Sequence, residues 1–118
     1  MDIIQLGGED QRLYPLVSHL VMREEVLSYN LNYPYKTSSD YCWFIATKNG
    51  NTIGFIPVKR KEGKAIINNY YVGNDDSEIF SALLKEIVRV FSADFEKNGF
   101  STVSRWKRYV KMKVFKDE

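Results

Sequence analysis

The chain has 118 residues, 44% of them hydrophobic and 14% aromatic, enough for one compact domain with its own core and too few for two. With 27% charged residues, 7 Gly and 3 Pro, it is not a disordered, collagen-like or low-complexity chain. The net charge of +2 conceals an asymmetry: the first 58 residues carry 4 basic and 6 acidic side chains, and the remainder 13 and 9.

No apolar run approaches the roughly 18 residues of a membrane span, and Met1 to Gln5 lacks the regions of a signal peptide, so a cytoplasmic protein with no membrane partner is expected. A single cysteine, Cys42, excludes an internal disulfide framework, and with His19 as the lone histidine no zinc set and no metal are expected.

In chain order, residues 2–6 predict a short strand ending at Gly7-Gly8, a pair able to take the positive φ of a turn. Leu13, Leu16, Val17, Leu20 and Leu27 then recur at spacings of three, four and seven, which predicts a helical region with Pro15 in its first turn. Residues 30–40 read as loop because Pro34 disfavours helix at Tyr33. Apolar runs at 41–47 and 52–58 flank Lys48-Asn49-Gly50-Asn51 and predict a β-hairpin. A turn at Arg60 to Gly63 leads into a third strand at 65–72, making an antiparallel meander, with Pro57 tolerable at an edge or a bulge.

After Gly73-Asn74 the period becomes 3.6. Ile79, Leu83, Leu84, Ile87, Val88, Phe91 and Phe95 share one face of a helix over about 77–96, opened by a capping box of an Asp and Glu78 and closed at Asn98-Gly99. Residues 102–115 alternate charged and apolar side chains, which predicts a half-buried strand with Arg105, Lys107, Tyr109, Lys111 and Lys113 on one side.

This order of elements resembles the opening half of the GNAT superfamily of acyl-CoA-dependent acyltransferases. Trp43 to Phe55 looks like the family's second and third strands. Tyr71-Val72, a loop, then Ile79 and Ala82-Leu83-Leu84 look like its fourth strand, cofactor loop and third helix. Phe95-Glu96-Lys97-Asn98-Gly99-Phe100 is similar to its Tyr-Glu-Lys-x-Gly-Phe run. The resemblance implies a single α/β domain over 1–118 with a mixed, mainly antiparallel sheet, flanking helices and some C-terminal elements missing. It also implies transfer of an acetyl or other acyl group from acyl-CoA to a small-molecule or protein amine.

In such a protein the donor's pantetheine arm pairs with backbone from Asn69 through Tyr71 and Val72, and its pyrophosphate reaches Gly73, Asn74 and Ser77 at a helix N-terminus. Three features depart from the family pattern. Glu78-Ile79-Phe80 stands where Gly-x-Gly/Ala is expected, with Asp75 and Asp76 nearby. Phe95 replaces the tyrosine that protonates the leaving thiolate in many members, which leaves Tyr109 as the candidate acid. The chain is also too short between Leu84 and Phe95 for the family's further strand and helix.

Each candidate also has an ordinary structural role. Tyr109 can pack as any strand tyrosine does, and either Asn68 or Asn69 can orient a substrate amine or bridge a bulge. Tyr29, Tyr33, Tyr35 and Tyr41 can wall an acceptor pocket or cover one end of the core. Cys42 reads as a small apolar strand residue and His19 as a solvated helix residue. A non-catalytic GNAT-like module that binds a protein or forms a homodimer through its sheet edges is the alternative function. Nucleic-acid binding by the basic C-terminal strand is a weaker one, since the lysines equally protect an edge and the net charge is only +2.

Overall fold

The computed structural model describes residues 1–29, 35–61, 64–67 and 69–91. The elements run β1 (Asp2–Gly7), α1 (Leu13–Val21), α2 (Glu24–Tyr29), β2 (Tyr41–Lys48), β3 (Asn51–Lys61), β4 (Lys64–Ile67), β5 (Tyr71–Val72), a 3-10 turn (Gly73–Asp75) and α3 (Ser77–Val90). This is an α+β domain whose sheet has the order β1-β2-β3-β4, with β5 also on β3, and every pairing between described strands is antiparallel.

The expected hairpin forms around the Asn49-Gly50 turn. Both residues have positive φ, 53° and 82°, the type I′ geometry whose twist matches that of the strands it joins. Five consecutive positions are buried in β2 (Trp43 to Thr47) and five in β3 (Gly54 to Val58), because helices cover both faces of the sheet. On one face Trp43, Ile45 and Phe55 pack with Leu6 and with Leu13, Val17, Leu20 and Val26 of α1 and α2. On the other, Phe44, Ala46, Ile56 and Val58 pack with Leu83, Ile87 and Phe91 at α3. Period-2 alternation sends neighbouring residues of one strand into different cores.

The first helical region is two helices rather than one. Arg23 N–H donates to Leu20 O, and Arg23 O accepts from the amides of Val26 and Leu27, so the chain stops and restarts at Met22-Arg23. The restart rephases the apolar stripe. Val26 becomes fully buried, Leu27 is only half-buried, and Glu24 faces solvent. Pro15 sits in the first turn of α1, where a missing N–H removes no intrahelical bond.

The third strand of the meander also divides. β4 pairs Val58 with Ile67, whereas β5 pairs Phe55 with Tyr71, a register one residue out of step. The break has a cause in the neighbouring strand. Arg60 N–H donates to Asp40 O on the β2 side, so by alternation the odd-numbered residues of β3 face β4 and β5. Pro57, which has no N–H, falls on that side opposite the break.

Neither Gly7 nor Gly8 has positive φ. Gly8 is required for close approach instead: a Cβ there would lie 2.1 Å from Ser38 O. The helix N-cap is Asp76 and not Asp75, so the expected box with Glu78 does not form. The expected end of this helix beyond residue 91 and the expected C-terminal strand lie outside the described residues.

Candidate functional site

The segment that the resemblance assigns to the acyl donor runs from β5 into α3. Asn69 is buried, as is Val72, while Tyr71 is half-buried with its ring 5.8 Å from that of Phe55. Gly73 and Asn74 form the 3-10 turn, Asn74 in a left-handed conformation with φ 57°, and Ser77 is the exposed first residue of α3. These residues therefore follow one another along one path, the strand backbone first and the helix N-terminus second. Tyr70 and Val72 turn their N–H and C=O groups away from β3, since Tyr71 pairs toward it. Among the described residues no strand pairs with that outer edge of β5.

The helix N-terminus itself is closed. Asp76 Oδ1 accepts from the amides of Glu78 at 2.9 Å and Ile79 at 3.4 Å, two of the donors an anion would need. Asp75 and Glu78 add negative charge beside it. Ile79 and Phe80 are held inward, Ile79 against the backbone at Gly54 and Phe80 with its ring 4.9 Å from Tyr70. The helix N-terminus therefore does not fit a pyrophosphate, and on the β5 edge Tyr70 O is already taken by a hydroxyl.

Tyr109, the candidate acid, lies outside the described residues, as do Asn68, Tyr33 and the basic run from Arg105 to Lys116. Among the described residues, Tyr35 and Tyr41 both pack against the core on the α1 face of the sheet. The Tyr35 hydroxyl donates to Tyr70 O at 3.1 Å, and its ring packs 5.2 Å from Phe55 and 6.5 Å from Trp43. The Tyr41 ring also lies under the ammonium of Lys59, 5.9 Å from the ring centre.

Cys42 is half-buried and accepts from the Gln5 amide at 3.4 Å. Burial pushes its thiol above the ordinary value, against the Gln5 hydrogen bond and the charge of Arg60, which disfavours the thiolate. His19 is exposed. Among the described residues no group of three or more His, Cys, Asp or Glu side chains is placed to hold a metal ion. None of the described helices is long and apolar enough to cross a membrane.

A cleft of about 250 Å³ opens on the α1 face of the sheet, between α1, the β1–α1 connection and residues 35–37. Leu13 and Val17 form one wall, Trp43 another, and Tyr35 and Thr37 a third. Trp43 Nε1 donates to Thr37 Oγ1 at 3.0 Å, and that hydroxyl donates to Gly8 O at 2.7 Å, which pins residue 37 across the end of β1. Sequence reasoning placed Tyr35 near a pocket but did not find Gly8, Thr37 or Trp43, whose convergence needs the sheet to be assembled. No protein-family model, curated protein or solved structure matches the chain.

Proposed function

We propose that this chain is a divergent GNAT-like domain that takes an acyl thioester along the outer edge of β5 and passes the acyl group to an amine. The observation that carries the reading is the broken strand at Asn69-Tyr70, with β5 leading directly into α3 and no strand among the described residues beyond it. The element order, the two short helices on one sheet face and α3 on the other support it. Since Asp76 already occupies the helix N-terminus, the donor is held through its pantetheine arm by the outward backbone of Val72, with Tyr71 and Gly73 on either side, and the nucleotide adds little. Asn74 and Ser77 then flank the donor's outer end rather than cradle a phosphate. Tyr109 is the nominated proton donor to the thiolate.

The Asp76 cap also favours a second reading, a non-catalytic GNAT-like binding module. Thermal unfolding separates the two. On the first reading acetyl-CoA and S-acetylpantetheine raise the melting temperature equally, ADP does nothing, and saturation at 100 times Kd adds about 2.7 kcal/mol. Thiol release with an amine acceptor follows. Absence of any shift with millimolar acetyl-CoA or S-acetylpantetheine sinks the acyltransferase and leaves the module.

A further inference from the structure

β1 is the first strand in the sheet order, and among the described residues no strand pairs with its outer side. Gly8 N–H donates to Tyr41 O, so by antiparallel alternation the even-numbered residues of β1 bond β2 and the odd-numbered ones turn their N–H and C=O groups outward. Gly7 O, on that outer side, already accepts from the Asp10 amide at 3.0 Å as the chain turns toward α1. The edge is therefore bounded at that end. Its open stretch carries the backbone donors and acceptors of Ile3 and Gln5, which have no partner among the described residues.

This stretch lacks the devices that protect an edge. Residues 2–6 contain no Lys and no Pro, and the register with β2 runs from Asp2 to Gly7 without a shift. Both cores reach it incompletely covered. Ile4 packs on the core under α1 and Ile3 on the core under α3, and each is half-buried. Open amides flanked by half-covered isoleucines on both faces of the sheet make a template for a further strand.

We propose that β1 is a dimerisation edge whose partner is β1 of a second copy of this chain, antiparallel across a two-fold axis at Ile4. The hydrogen-bonding pattern is self-complementary. That axis sets Ile3 of each copy opposite Gln5 of the other, so every open group of these two residues finds a partner. Ile4 meets Ile4 of the second copy in a non-hydrogen-bonded pair, the closer kind, and both side chains leave water. Symmetry closes the assembly at the dimer, because each copy has a single β1 edge to give. The cost falls on Asp2, exposed in the single chain, which comes opposite the buried Leu6 of the other copy. The interface lies at the margin of the sheet away from β5 and does not rest on the acyl-donor reading.

The test is the mass of the full chain by sedimentation against concentration. A strand-edge interface is small, so the population should pass from 13.8 kDa to twice that between about 1 μM and about 1 mM. The Ile3 and Gln5 amides should exchange hydrogen about tenfold more slowly in the concentrated chain than in the dilute one. Gln5→Pro removes an outward donor and leaves the bonds to β2 in place, so it should fold, as circular dichroism checks, and stay monomeric. In a Cys42→Ala background, Ile4→Cys should cross-link to its own copy on oxidation, since a non-hydrogen-bonded pair sets Cα atoms about 4.5 Å apart, within disulfide reach. Ile3→Cys, off the axis, should cross-link about tenfold more slowly. The proposal is overturned by a chain monomeric at about 1 mM, by growth past the dimer, or by a dimer that survives Gln5→Pro. Protection of the Ile3 and Gln5 amides at every concentration, or equal cross-linking at positions 3 and 4, overturns it as well. Thermal shifts with acyl thioesters read a different edge, so each proposal can fail without the other.

Discussion

Gly8 and Gly7 are adjacent in the chain and opposite in their demands. A Cβ at Gly8 would meet Ser38 O at 2.1 Å, Thr37 Oγ1 at 2.6 Å and Tyr41 Cβ at 2.9 Å, whereas one at Gly7 would meet nothing within 4 Å. Gly8→Ala must displace backbone at Ser38 and is expected to cost about 1–3 kcal/mol. Gly7→Ala should stay within about 0.5 kcal/mol of the parent. Urea unfolding midpoints check this, and equal losses at the two sites would contradict the close approach. Two residues further on, the Arg12 side-chain hydrogen bond lowers the Asp10 pKa from 3.8 to about 2. A carboxylate depressed in this way adds stability above its ordinary pKa, and that stability is lost as pH falls toward about 2. Arg12 is 74% exposed, so solvent keeps the contribution small.

At the scale of elements, α3 owes its start to one side chain. Asp76→Ala removes the acceptor for the Glu78 and Ile79 amides and should destabilise the domain by about 0.5–2 kcal/mol, with faster hydrogen exchange at those two amides. Unchanged exchange would mean the first turn is held by its packing alone. The elements that could be read in the sequence are those whose causes are local. Asn49-Gly50 specifies the hairpin turn without help from elsewhere, and Leu83 and Ile87 mark the buried face of α3. The two breaks were illegible for the converse reason. The division of the third strand depends on Pro57 across the ladder, and the pause at Met22-Arg23 shows only when Val26 is seen to enter the core in place of Leu27. Asn69, Tyr71, Val72, Gly73, Asn74 and Ser77 lie along β5 and into α3 simply because they are neighbours in the chain. The cleft was hidden because its walls come from four separate stretches.

As a whole, the molecule is a sheet shared by two cores. α1 and α2 close one side and α3 the other, so β2 and β3 are the structural centre while β1 and β5 lie at the margins. The two central strands are joined by the shortest connection available to an antiparallel pair, and β1 is separated from its partner β2 by two helices and a loop. In kinetic terms this distinction orders assembly. Closing the Asn49-Gly50 hairpin is a local event on the scale of about 1–10 μs, whereas docking β1 requires a long loop to be closed first. We expect the transition state for folding to contain the hairpin and not β1. Gly50→Ala, strained at a φ of 82°, should therefore slow refolding by nearly all of its equilibrium cost. Leu6→Ala, at a buried position of β1, should leave refolding almost unchanged and accelerate unfolding. A chevron in which the two variants exchange these behaviours would reverse the order. If it stands, the turn that sets the register of the sheet also sets the rate at which the protein comes into being.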